Sequence, residues 1–251
     1  MYTDSHCHLS FLDTEIALKT IEAGQKRGIS RWVMAGYDLE DWRRQSLLQQ
    51  RAGASVCAAY GIHPWVVISQ TVDQVGALFK ALEDLNPSSR VAGEMGLDFH
   101  NSKGPECRSL QEEYFRKQLE FAQKRPCVLH VVKAHGAALN ILDEFPESRG
   151  WVHGFSGSWE VAQDYLKRGF FISVGRSASS KNFIKLKDVI QKIEVKDLLI
   201  ESDSPAGPKV LEAPDEIYFE GAKAVAEIKN ISVHDLLVAC HRNMSEVLDD
   251  H

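Results

Sequence analysis

Eight short runs rich in apolar and β-forming residues recur along this chain, and each is followed by a stretch of helical period. The runs are the stretch up to His8, then 31–35, 55–60, 90–94, 126–130, 150–153, 169–174 and 197–203. Helical spacing is read near 13–27, 39–51, 72–84, 109–124, 136–145, 159–168 and 181–193, with two more helices near 215–229 and 232–248. Strands that alternate with helices of this length must lie parallel, joined by crossovers. With 251 residues and no composition break or linker, the expected fold is α/β, a single-domain TIM (β/α)8 barrel over residues 1–251. A doubly wound open sheet is the alternative, because periodicity does not show closure. In the final helix Leu236, Cys240, Met244 and Leu248 share one face, and Ser232 suits the N-cap.

The chemistry-bearing residues fall where the strands should end. They are His6 and His8 in T-D-S-H-C-H, Glu94 in G-E-M-G-L-D, His130 in V-L-H, His153 in V-H-G-F-S-G and Asp203 in E-S-D-S-P. Imidazole and carboxylate together form the ligand set of borderline divalent ions such as Zn, Mn or Ni. No local loop spans residues 6 to 203, so a shared ion requires the closed barrel, whose reactive residues gather at the C-terminal strand ends. His6 and His8, two apart on a strand, point to one side. One histidine at a strand end is more often structural than ligating; six matching residues at five strand ends reverse that weighting.

Glu94 and Asp203 are the candidate catalytic carboxylates, Glu94 as a bridge between ions and Asp203 as acceptor of a proton from water. Asp4 and Glu201, each two residues before a ligand candidate, are expected to orient imidazoles. His63 in G-I-H-P is the best additional candidate, as a substrate contact. Lys133, His135 and Arg108 sit in loops over the same mouth, with Lys103 and His100, as candidates for phosphate oxygens. The competing reading of each is an ordinary solvated residue. His234, His241 and His251 read as surface residues. Trp42, Trp65, Trp151 and Trp159 read as packing rather than a base-stacking platform, although Trp65 follows His63-Pro64 and is placed to line the mouth.

Composition narrows the classes. A net charge of −6 argues against a surface that coats nucleic acid broadly, without excluding a nuclease. Five cysteines without a C-x-x-C pair read as buried, reduced thiols. The chain opens with Met1-Tyr2-Thr3-Asp4, which leaves no room for a leader before His6, and no apolar run suits a membrane span. The expectation is a cytoplasmic, soluble protein with no obligate protein partner. Neither a phosphate-binding P-loop nor a dinucleotide loop occurs, and G-F-S-G at 154–157 lacks the nucleophile-elbow pattern.

Taken together, D-S-H-C-H, G-I-H-P, G-E-M-G-L-D, the strand-five histidine, H-G-F-S-G and E-S-D-S-P resemble the TatD family of metal-dependent deoxyribonucleases. Q-E-E-Y-F-R-K-Q-L-E-F-A adds to the match, which runs from residue 4 to the last helix. The resemblance implies a two-metal centre and hydrolysis of phosphodiester bonds in DNA, commonly from the 3′ end. It implies that His6 and His8 hold one ion, that Glu94 bridges, that His130 and His153 hold the second, and that Asp203 completes the site. It also brings Mg to mind as a metal. Two-metal sites place their ions about 3.5–4 Å apart.

Two departures bear on substrate. Family members usually read S-R-[DR] after the strand-five histidine, whereas Val131, Val132 and Lys133 stand here, with Val132 at the usual arginine position. Glu212 and Ala213 stand where an asparagine usually precedes the proline at 214. Loops trimmed around the mouth favour a small phosphoester over a polynucleotide. The rival functions are an amide or ester hydrolase, for example one acting on aminoacyl-tRNA, and an inactive metal-holding interaction protein.

Overall fold

The computed structural model describes residues 1–85, 89–122, 124–205 and 213–249. Eight parallel strands follow one another in chain order around a barrel. They are β1 (Tyr2–Cys7), β2 (Ile29–Met34), β3 (Val56–Tyr60), β4 (Val91–Asp98), β5 (Cys127–Val132), β6 (Gly150–Val152), β7 (Phe170–Val174) and β8 (Leu198–Ile200). The helices are α1 (Thr14–Lys26), α2 (Leu39–Ala52), α3 (Pro64–Ser69), α4 (Val72–Leu85), α5 (Pro105–Ala122), α6 (His135–Leu142), α7 (Trp159–Leu166), α8 (Ile184–Lys192), α9 (Pro214–Lys229) and α10 (Val233–Asp249). The expected TIM barrel is therefore the observed one. Across the seam between β8 and β1, the Asp203 amide donates to the His6 carbonyl at 2.9 Å and the His8 amide to the Ser204 carbonyl at 2.9 Å. The Ser5 hydroxyl also donates to the Ile200 carbonyl at 3.0 Å.

Local signals explain where the helices begin. The Asp13 carboxylate accepts the Glu15 amide at 2.9 Å to open α1, and Asp38 accepts the Asp41 amide at 2.9 Å to open α2. The Ser232 hydroxyl accepts the Asp235 amide at 3.0 Å ahead of α10. Helix α3 is an element the periodicity does not show. Proline at its first position and a histidine N-cap start it, and six residues are too few for a helical repeat to register.

The strands are buried on both faces, as parallel strands covered by helices must be. Alternation then sorts their side chains into two layers. Trp32, Met34, Ala58, Tyr60 and Ala92 belong to the large cluster shared with the helices. Val33, Cys57, Ala59, Val91, Val128, Trp151 and Leu199 form a second cluster with Met244, Val247 and Leu248 of α10. That second set fills the barrel interior, and α10 closes it from below; Leu236, Cys240, Met244 and Leu248 are all buried, as the helical spacing indicates. Two residues beyond Val128, Trp151 and Leu199 come His130, His153 and Glu201, so the same alternation points these polar groups into the open end.

The five cysteines are free thiols, four of them buried. Among the described residues no helix is long and apolar enough to cross a membrane. Glu212, Pro208 and His251 lie outside the described residues.

Candidate metal centre

Glu94 stands at the centre of the open end, and five imidazoles surround it. Its Oε1 lies 2.8 Å from His130 Nδ1, 2.8 Å from His153 Nε2 and 3.4 Å from His63 Nε2. Its Oε2 lies 3.5 Å from His6 Nε2 and 4.0 Å from His8 Nε2. Asp203 Oδ1 closes the other side, 3.6 Å from His6 Nε2 and 3.5 Å from His8 Nε2. All six residues singled out as ligands thus converge, and His63 joins them.

The route to this geometry differs from the expected one in two places. Glu94 does not end its strand: β4 continues to Asp98. Regular alternation from Val91 would send Gly93 and Met95 inward, but the register shifts between Ala92 and Met95. That irregularity turns Glu94 into the barrel, a common use of a bulge beside a site. Asp203 lies beyond β8, which ends at Ile200, and its φ of 48° aims the carboxylate back over β1.

Donor chemistry supports a divalent cation. Among the described residues, His6 Nε2 and Glu94 Oε2 are buried without a hydrogen-bond partner and face each other at 3.5 Å. Unpaired buried polar atoms are costly, and an ion between facing lone pairs would satisfy them. The sets His6–His8–Asp203 and His6–Glu94–His153 each bring three donor atoms within 4.8 Å of one another. His63, Glu94 and His130 form a third such set. His63 Nδ1, however, accepts the Trp65 amide at 3.0 Å, so its proton resides on Nε2 and the ring offers Glu94 a donor.

The electrostatics match a cluster held together by shared protons. Burial disfavours a charge on His153, but the Glu94 carboxylate outweighs it and pushes the pKa up to about 10. Burial, reinforced by the charge of His153, holds His6 well below the usual imidazole range. Burial lowers His63 to about 4 despite Glu94. Glu94 itself stays ionised: burial opposes its charge, and the protonated His153 with the hydrogen bond to His130 overcomes that. Burial likewise opposes a charge on Asp203, and the His8 hydrogen bond with the neighbouring imidazoles lowers it below the carboxylate range. Half of the Asp203 side chain faces solvent, so of these carboxylates it meets incoming water.

The supporting carboxylates divide. Glu201 Oε1 accepts the Gly154 amide at 2.7 Å and lies 3.9 Å from His153 Nδ1, while Oε2 accepts the Ser173 hydroxyl at 2.5 Å. Asp4 does not orient an imidazole. Its Oδ1 accepts the backbone amides of His6 at 3.2 Å and Ser202 at 3.0 Å, tying β1 to the segment after β8. Sequence reasoning passed over Asp98. It accepts the Trp65 indole N–H and the Asn101 amide group, and lies 3.6 Å from His130 Nε2. G-E-M-G-L-D contains it, but a strand ended at Glu94 leaves Asp98 in a loop.

The cleft has a volume of about 160 Å³ and is lined by Phe11, Tyr37 and Trp65 together with His8, His63, Glu94, His130, His153 and Asp203. Lys133, His135 and Arg108 fall outside that lining. Lys133 is exposed in the β5–α6 loop, and the Arg108 guanidinium lies over the Phe99 ring. His135 packs against Phe155 and bonds the Tyr165 hydroxyl at 3.3 Å. His234 is exposed, as expected, whereas His241 is partly buried and bonds the Thr3 hydroxyl at 2.7 Å.

The sequence model described as TatD related DNase matches residues 3–249. A Bacillus subtilis (strain 168) protein named uncharacterized metal-dependent hydrolase YabD is 32% identical over 213 residues, covering 82% of this chain and 80% of that protein. The human protein named deoxyribonuclease TATDN3 is 24% identical over 254 residues, covering 96% of this chain and 92% of its own length. The crystal structure of the Escherichia coli TatD homologue YjjV superposes with a TM-score of 0.83 at 22% identity, covering 100% of this chain and 98% of that one. The barrel, the matched span and these relatives lead to one assignment: the chain belongs to the TatD-related DNase family of metal-dependent hydrolases.

Proposed function

We propose that this hydrolase cleaves phosphodiester bonds in DNA with two divalent ions. His6, His8, Asp203 and Glu94 Oε2 would hold one ion, and His130 Nδ1, His153 Nε2 and Glu94 Oε1 the other. When bound, such ions polarise a phosphoryl oxygen and lower the pKa of water toward about 7. The residues supply the rest. Glu94 fixes both halves of the site through its two oxygens. Asp203, ionised and half-exposed, takes the proton of the attacking water. His63 directs an N–H into the cleft, where it would donate to a phosphoryl oxygen. Lys133 and Arg108, outside the cleft lining, would meet only phosphates further along a strand, and His135, held against Phe155 and Tyr165, would have a lesser part.

The observation that carries this reading is the convergence of five imidazoles on the two oxygens of one buried carboxylate. The name of the human relative supports DNA as the substrate class. The test is a metal-supplemented assay of the purified protein on single-stranded DNA, a small phosphodiester and an acyl ester, run side by side with Mg, Mn, Zn and Ni. Nucleotide release is expected from the wild type and is abolished in Glu94→Ala and Asp203→Ala. Wild-type rates in both variants, or turnover restricted to the acyl ester, would reject the reading.

A further inference from the structure

The cleft of about 160 Å³ lies well below the ~300 Å³ at which pockets engulf a drug-sized ligand. A phosphodiester fits over Glu94, but the nucleoside attached to it must lie at the mouth. The aromatic side chains at that mouth are not equivalent. Phe11 is stacked on His8, with centroids 5.0 Å apart and planes 8° from parallel. Tyr37 is stacked on His63 at 5.0 Å and 30°. Trp65 touches its neighbours differently: His63 at 76° and His130 at 73°, edge to face in both cases. It is 43% exposed, whereas Trp42 and Trp151 are almost fully buried.

Trp65 is also fixed in place. Its amide is held by His63 Nδ1, its indole N–H by Asp98, and its backbone by the proline-started first turn of α3. A large, exposed, immobilised π-surface a few ångströms from the reacting centre loses little entropy when a flat ring settles on it. Packing does not account for it, because packing would bury it as it buries the other two.

Given the phosphodiesterase reading above, we infer that Trp65 is the stacking platform for an unpaired nucleobase adjoining the scissile phosphate. The substrate class is thereby narrowed to nucleotides whose base is free of a duplex, since a paired and stacked base cannot offer its face to an indole. Trp65 supplies affinity through the base, while the phosphate and the carboxylate–imidazole cluster fix the reacting bond.

The experiment is a binding titration that does not depend on turnover. Thymidine 5′-monophosphate, 2-deoxyribose 5-phosphate and inorganic phosphate are titrated into the protein in Mn²⁺-supplemented buffer, by calorimetry and by tryptophan fluorescence. The two sugar phosphates share the same anionic group, so their ratio isolates the base. The wild type is expected to prefer the nucleotide by about 5- to 150-fold, the worth of one base–aromatic stack. Trp65→Phe keeps a ring and retains most of that ratio, although it loses the bond to Asp98. Trp65→Gln keeps an N–H donor but no ring, and its ratio falls to within about twofold of one. Equal binding of the two ligands to the wild type, or a preference that survives in Trp65→Gln, overturns the inference. A base preference without cleavage of any phosphodiester supports the platform and rejects the catalytic reading.

Discussion

His6 and His153 lie face to face, with ring centroids 3.7 Å apart and planes 5° from parallel. Both direct Nε2 at Glu94, His6 at 3.5 Å and His153 at 2.8 Å. Two protonated imidazoles at that separation would repel strongly in a buried site. Burial disfavours the charge on each, yet the proton settles on His153 because Glu94 touches it more closely.

Proton release should therefore accompany metal binding. The His153 pKa of about 10 means that the ring is protonated at pH 7 in the absence of metal. A ligand must present a lone pair, so a cation entering between His153 and Glu94 displaces that proton. Protons compete with the metal, so affinity is expected to rise with pH, by up to about tenfold per unit between pH 6 and 9. Calorimetry in two buffers of different ionisation enthalpy measures the protons released. Identical heats in both buffers would contradict the arrangement.

His63 and His130 should part company on substitution, although both touch Glu94 Oε1. His63 Nδ1 is committed to the Trp65 amide, so the ring presents N–H rather than a lone pair. His63→Gln is expected to leave metal stoichiometry unchanged and to lower kcat/KM by about 10²-fold, the loss typical of one donor to a developing oxyanion. His130→Gln should lose metal. Elemental analysis after dialysis separates the two, and a metal-depleted His63→Gln would make His63 a ligand.

Much of this architecture was written locally. All seven crossovers between successive strands follow from periodicity, and the six converging residues lie within a few positions of the strand ends assigned to them. What escaped depends on partners far away in sequence. Glu94 reads as a terminus because glycines and a carboxylate are poor strand formers. Only the imidazoles of other strands make a charge tolerable inside β4, which therefore continues to Asp98. Asp98 itself is defined by Trp65 and His130, both more than thirty positions distant. Asp4 misled for the opposite reason: its neighbour in sequence is a candidate ligand, but its bond crosses the β1–β8 seam to backbone.

Gly96 in the same motif should prove as intolerant as the carboxylate. Its φ is 141°, it pairs with His130, and a Cβ would sit 2.1 Å from the His130 carbonyl oxygen. Backbone cannot yield there without separating β4 from β5 beneath the site. Gly96→Ala is expected to cost more than about 3 kcal/mol. Gly53→Ala is the control: its φ of 64° and ψ of −141° strain an alanine, but nothing lies within 4 Å of a new Cβ, so a smaller loss of about 1–3 kcal/mol is expected. Urea unfolding measures both, and equal losses would mean that the contact with His130 is dispensable.

His135 gives a stability prediction of defined sign. Burial against Phe155 and Tyr165 lowers its pKa from 6.5 to about 4. Below pH 6.5 the unfolded chain takes up a proton that the folded chain refuses, so stability falls with acidity until about pH 4 and is unaffected above 6.5. His135→Gln keeps a hydrogen-bonding group near the Tyr165 hydroxyl and removes the titration. Any stability advantage of the wild type should then shrink by about 1–2 kcal/mol between pH 7.5 and pH 5. Urea melts of both proteins in chelator cancel the contribution of the metal cluster, which is the same in each. A difference that stays constant over this range would show that the ring titrates normally and that its burial is relieved before the proton arrives.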